Sequence, residues 1–127
     1  MKKCILWILA ASAVALAAGA SLALTQESSS LDPLKVCPDT HRLLFDNEYL
    51  RVIEAKVPAG KDEPRHSHPH GITVYLGDYE VETKTSPDNK VTRSSRRFGA
   101  VTWSEAVVHE VKNVGNSAVH AIRIELK

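Results

Sequence analysis

His66 and His68 stand two residues apart in this chain, and a third histidine, His109, follows later with Asn113 four positions beyond it. On a β-strand alternate residues face the same way, so His66 and His68 can present both imidazoles to one point. A third imidazole from His109 would complete a metal site. Neutral imidazoles suit divalent ions such as Fe, Zn, Mn or Ni, and three of them leave coordination positions open for a small molecule or water. His70 continues the two-residue spacing and is a pocket candidate, although Pro69 before it interrupts a strand ladder. Tyr75 and Trp103 are further pocket candidates on predicted strands. His41 and His120 have no partner at ligand spacing and read as ordinary surface or core histidines.

The elements that must position these side chains are short β-strands. Arg42 to Phe45 is one, and Tyr49 to Val57 is a longer one stopped by Pro58-Ala59-Gly60, where proline removes a ladder donor. Arg65 to Leu76 carries the His pair and then Ile72, Val74 and Leu76 in alternation. Tyr79, Val81 and Thr83 form one face of the next strand, with Asp78, Glu80 and Glu82 on the other. Ser86-Pro87-Asp88-Asn89 is a turn. The returning segment Val91 to Phe98 brings Arg93, Arg96 and Arg97 opposite those acids, where they read as a solvated hairpin face, with anion recognition as the alternative. Ala100 to Trp103 and Val107 to Val114 follow, separated by a kink at Ser104-Glu105-Ala106. In the last strand, Val119 to Leu126, the residues His120, Ile122, Ile124 and Leu126 alternate with Arg123 and Glu125. Many short strands and no helical period predict an all-β sandwich or small barrel.

The chain has 127 residues, 43% hydrophobic and 24% charged, which fits one globular domain. Its first segment is different in kind. Lys2 and Lys3 precede an apolar run, and Ala18-Gly19-Ala20 offers small residues for cleavage, so residues 1–24 read as a signal peptide cut near Ala20. This predicts a periplasmic or secreted protein. The alternative is a membrane anchor, since residues 4–24 are long enough to span a bilayer if left uncut. Residues 25–30, with a run of serines, read as a flexible tether, and residues 31–127 as the folded domain.

Cleavage would leave Cys37 as the lone cysteine, without an intrachain disulfide, and a lone cysteine is most often a small buried apolar residue. Loss of Lys2 and Lys3 would take Lys plus Arg from 16 to 14 against 15 Asp plus Glu. A nearly neutral domain lacks the clustered positive charge that nucleic acid demands. There is also no nucleophile motif, phosphate-cradling glycine loop or paired-cysteine zinc pattern.

Two segments resemble the paired motifs of the cupins. The first is Gly60-Lys61-Asp62-Glu63-Pro64-Arg65-His66-Ser67-His68-Pro69-His70. The second is Gly99-Ala100-Val101-Thr102-Trp103 followed by His109-Glu110-Val111-Lys112-Asn113. Asp32 to Val36, Leu50 to Glu54 and Val119 to Leu126 extend the likeness to small single-domain cupins, including those named beta-alanine degradation proteins. The resemblance implies a double-stranded β-helix of jelly-roll type, with His66, His68 and His109 as metal ligands. The glutamate that cupins usually carry after the His pair would fall at Ile72 or Thr73, neither of which is a carboxylate. Thr73 is therefore a pocket candidate through its hydroxyl, and the centre is expected to hold three histidines.

Two functions remain open at this level. One is a metal-dependent enzyme acting on a small carboxylic or amino acid, in line with the beta-alanine resemblance. The other is a non-catalytic cupin that binds a small ligand or a partner. A homodimer is the assembly that the resemblance implies.

Overall fold

The computed structural model describes residues 30–127. The signal-peptide or anchor segment, 1–24, and all of the tether except Ser30 lie outside the described residues. Leu31–Lys127 form one compact unit. It begins with a single helical turn, α1 (Pro33–Val36), where Asp32 accepts a capping bond from the Leu34 amide at 3.0 Å and Pro33 occupies the first turn. Nine strands follow: β1 (His41–Asp46), β2 (Leu50–Val57), β3 (Asp62–His68), β4 (Gly71–Tyr75), β5 (Tyr79–Thr85), β6 (Lys90–Arg96), β7 (Val101–Ser104), β8 (Val107–Asn113) and β9 (Val119–Leu126).

The strands make two antiparallel sheets. One has five strands in the order β1-β2-β9-β4-β7, and the other has four in the order β3-β8-β5-β6. The chain crosses between the sheets six times, and two of these crossings adjoin the histidine motifs. Pro69 and His70 separate β3 from β4, so the segment read from Arg65 to Leu76 is two strands in different sheets. The kink after Ser104 likewise sends β7 and β8 to different sheets. Each histidine motif thus sits where the chain crosses between sheets.

Backbone bonds tie the two motifs together. Gly60, at φ 73°, donates its amide to the Asn113 carbonyl at 3.0 Å, and the Asn113 amide returns a bond to the Lys61 carbonyl at 3.0 Å. Only glycine adopts that φ without strain. The Asn113 side chain is fully buried, donates to the carbonyls of Val57 and Ser117, and accepts from the Gly115 amide. Asn113 is therefore a structural pin rather than a reacting group.

The inner faces hold two different environments. At one end Val57, Val81 and Val119 pack with Tyr79 and Val111. The rest of the interior mixes buried Cys37, Ile53 and Ala121 with the buried polar residues His41, Glu63, His66, Arg123 and Glu125. Along β9 the buried residues are Val119, Ala121, Arg123 and Glu125, while His120, Ile122, Ile124 and Leu126 are only half-buried. The hydrophobic stripe of the last strand thus faces outward, and its charged residues face in. Gly71 lies opposite Glu125, and a Cβ there would run into the Ile124 carbonyl oxygen.

Candidate metal centre and adjoining cavity

Cross-strand pairing sets the histidines side by side. β3 pairs with β8 so that His66 lies opposite His109, and His68 follows on the same face of β3. Ring centroids are 4.6 Å apart for His66 and His109, 5.0 Å for His66 and His68, and 5.4 Å for His68 and His109. His41, the first residue of β1, reaches the same cluster from the opposite sheet. Its ring lies 5.4 Å from that of His66 and 5.9 Å from that of His68. One nitrogen each of His41, His66 and His68 lies within 4.8 Å of the others. No spacing marks His41 in the sequence, because only the packing of one sheet on the other brings it here.

Each of these three rings has its Nδ1 engaged. His66 donates Nδ1–H to the Pro64 carbonyl at 2.8 Å, since a carbonyl can only accept. His68 Nδ1 is 2.6 Å from Glu125 Oε1. His41 Nδ1 is 3.3 Å from Glu63 Oε1 and 3.2 Å from the Thr40 hydroxyl, which itself donates to Glu63. Fixing Nδ1–H in this way leaves the Nε2 lone pair as the ligating atom, which is the usual outer-shell arrangement of metal-bound histidine. His66 Nε2 and His109 Nε2 are 3.0 Å apart. With metal–nitrogen bonds of ~2.0–2.1 Å, two nitrogens on one ion sit about this far apart.

Carboxylates are thus present beside the histidines, although none occupies position 72 or 73. Glu63 is three residues before His66, an offset that strand alternation would place on the opposite face. A register shift between Glu63 and His66 turns both inward. Glu125 comes from β9, inner face, and is 1% exposed. It also accepts from Arg51 Nε at 2.7 Å and lies 2.6 Å from Nη2; Arg51 in turn reaches Asp32 at 2.9 Å.

Electrostatics keep the imidazoles neutral. Burial pushes His66 and His68 below their ordinary value, His68 strongly, with its histidine neighbours adding to the effect. Burial and the charges of His66 and His68 push His109 down to about 3. Neutral imidazole is the form that binds metal. Burial works to raise the Glu63 carboxyl, but its bonds from His41 and Thr40 prevail and hold it low. Burial raises Glu125, against the pull of Arg51. Cys37 is buried with Sγ 3.6 Å from His66 Nδ1, and burial followed by the Glu63 charge pushes its thiol up to about 12. A thiol so held is unreactive, in keeping with the small buried residue expected.

A cavity of about 310 Å³ lies between the sheets, lined by His41, His66, His68 and His109 among others. Thr73 and Tyr75 also line it. His70 and Trp103 are not among the residues that line this cavity. Trp103 alternates with Thr102 and Ser104 on β7; those two face the cavity, so Trp103 faces out, is 53% exposed and donates Nε1–H to Glu105. His70 is exposed in the turn after β3, its ring 5.8 Å from that of Trp103. Thr73 sits where a cupin glutamate would fall, and its hydroxyl accepts from Arg123 Nη1 at 3.2 Å. The hairpin arginines divide: Arg93 pairs with Glu80 at 2.7 Å and Arg97 with Asp78 at 2.8 Å, whereas Arg96 lines the cavity.

Comparison with solved structures bears on this architecture. A crystal structure of a cupin domain from Bordetella pertussis Tohama I superposes with a TM-score of 0.62 at 25% identity, covering 68% of this chain and 91% of that one. The chain has the cupin fold. A double-stranded β-helix protein from Klebsiella pneumoniae, at 16% identity, matches this cupin domain with a TM-score of 0.54 over 68% of this chain and 74% of that one. A cupin-family protein from Methanocaldococcus jannaschii, at 13% identity, gives 0.54 over 68% and 80%. At such identities both speak for fold alone. No protein-family model matches the sequence, and no curated protein matches it.

Proposed function

We propose that this cupin is a metal-dependent enzyme acting on a small carboxylic or amino acid, with a divalent Fe, Zn, Mn or Ni ion held by His66, His68 and His109 and joined by His41. The observation that carries this reading is that the Nδ1 atoms of His41, His66 and His68 are all occupied by oxygen acceptors, which leaves their Nε2 nitrogens as the atoms that would hold an ion. When bound, the ion would supply Lewis acidity or oxygen activation. The chain's own residues do the rest. Glu125 and Glu63 hold rings in orientation and offset the charge of the ion, and the apolar end of the cavity excludes water around a small ligand. The resemblance to beta-alanine degradation proteins supports the carboxylic or amino acid class.

Elemental analysis of untagged mature protein tests the centre. About one metal per chain is expected, falling in His66→Ala and His109→Ala. Metal that stays substoichiometric after incubation with Fe, Zn, Mn and Ni, with ligand binding intact in both variants, would sink the enzyme reading. One observation favours a second reading, a metal-free ligand-binding cupin: the 3.0 Å separation of His66 Nε2 and His109 Nε2 also fits a hydrogen bond between imidazoles. The same metal analysis separates the two.

For location, we propose export to the periplasm or beyond by cleavage near Ala20. Mass spectrometry of the mature chain tests this, and an intact N-terminus in the membrane fraction would reverse it. For assembly, we propose a homodimer through the outer face of the five-stranded sheet. There Phe45, Val52, Ile124, Ile72 and Trp103 pair in one row across all five strands.

A further inference from the structure

Arg123 is a buried cation to which no carboxylate is bonded, although the charge of Glu125 acts on it from nearby. It is 6% exposed, lines the cavity, and spends its donors on neutral oxygens: Nη1 bonds the hydroxyls of Thr73 and Ser104 at 3.2 and 2.8 Å, and Nη2 the Pro69 carbonyl at 2.5 Å. Its Nε is buried and has no partner. Glu125 lies two residues away on the same face of β9, but its oxygens are taken by Arg51 and His68. Among the described residues no carboxylate forms an ion pair with Arg123. A buried charge without a bonded counter-charge is costly to fold around; the nearby Glu125 offsets the desolvation of Arg123 only in part. Arg96, on β6, lines the same cavity; it is half-buried and donates Nη1 to the Ser95 carbonyl at 2.8 Å, and its Nε is also buried and unpartnered. Two arginines facing one cavity from opposite sheets, each with a free donor, are the recognition chemistry of a planar carboxylate.

The remaining lining defines the other end of the ligand. Val57, Val81, Val111 and Val119 offer an apolar wall. No acid is available to receive an ammonium group, because both carboxylates beside the cavity, Glu63 and Glu125, already hold histidine, threonine or arginine donors.

From this we infer that the cavity takes a small monocarboxylic acid with an apolar body, its carboxylate read by Arg123 and Arg96 beside the histidine cluster. The inference deepens the reading proposed above and rests on it for the ion that would sit next to the bound acid. It selects a plain carboxylic acid over an amino acid, and it assigns the recognition to residues rather than to the metal.

Titration calorimetry of chelator-treated protein tests this without depending on the metal. The probes are sodium butanoate, butanamide, β-alanine and inorganic phosphate. Butanoate is expected to bind, with butanamide weaker by about tenfold or more, since a lost charge-assisted bond is worth that much. β-Alanine and phosphate should also bind more weakly than butanoate. In 15N spectra the Nε–H resonance of Arg123, identified by its loss in Arg123→Lys, should move with butanoate and stay still with butanamide. Arg96→Gln should weaken butanoate severalfold while leaving butanamide unchanged. No butanoate binding, equal affinity for butanoate and butanamide, tighter binding of β-alanine or phosphate, or an Arg123 resonance unmoved at saturation would each overturn the inference. The ligand series and the Arg96→Gln arm decide the matter even if Arg123→Lys does not fold. Metal that stays substoichiometric in the elemental analysis, with butanoate binding retained here, would refute the centre and leave this assignment standing.

Discussion

At the scale of single residues, the site depends on groups that hold the histidines as much as on the histidines. Glu125 accepts from His68 and is anchored by Arg51, so Glu125→Gln keeps the shape but removes the charge behind the ring. Metal affinity is expected to fall ~10–100-fold, read by competition with a chromophoric chelator, with little change in the circular dichroism spectrum. The same neutral histidines make the metal-free protein sensitive to acid. His66, His68 and His109 all titrate below 6.5 in the folded state, so between that pH and about 3 the unfolded chain binds more protons than the folded one. Stability should therefore be full above 6.5 and fall as the pH drops from there toward 4, seen as a declining Tm in calorimetry of chelator-treated protein. Glu63, held low, adds to the loss at the acid end, and Glu125, raised, opposes it. A flat Tm over that range would mean that the rings are more hydrated than their burial implies.

At the scale of elements, strand alternation made His66, His68 and His109 legible, and it failed wherever the ladder was irregular. The register shift after Glu63 moved a carboxylate onto the histidine face, and an alternating count from His66 excludes it. His41 lies on a strand with no ligand spacing to announce it. Trp103 faces outward, because the neighbours that face the cavity are Thr102 and Ser104. Close packing of β4 on β9 supplies a prediction of its own. Gly71→Ala would drive a Cβ into the Ile124 carbonyl, at a cost of ~1–3 kcal/mol or more, measurable by urea denaturation. Because Gly71 faces Glu125 across the ladder, metal affinity should fall in the same variant. Unchanged stability would show that the two strands can separate there without penalty.

At the scale of the whole molecule, the polarity of the five-stranded sheet is inverted relative to a simple core. Arg123 and Glu125 face in, while the row from Phe45 through Val52, Ile124 and Ile72 to Trp103 faces out, with Phe45 and Trp103 more than half exposed. An outward apolar row of this kind marks an association surface, and a two-fold copy of it is self-complementary. Sedimentation should find a dimer in the wild-type protein and a monomer in Trp103→Asp, with the melting curve of the variant otherwise cooperative; a wild-type monomer would remove the proposed interface. The sequence by itself determined the all-β character, the strand punctuation and the three spaced histidines, because those follow from local periodicity and turn chemistry. Only the tertiary structure decided that His41, Glu63 and Glu125 join them, and that Arg123 is buried with no carboxylate bonded to it. Those facts depend on which sheet faces which and on one register shift, and neither is written in the local spacing of residues. The pair His66 and His68 could be found by counting along a strand; the charge that surrounds them is set by the fold.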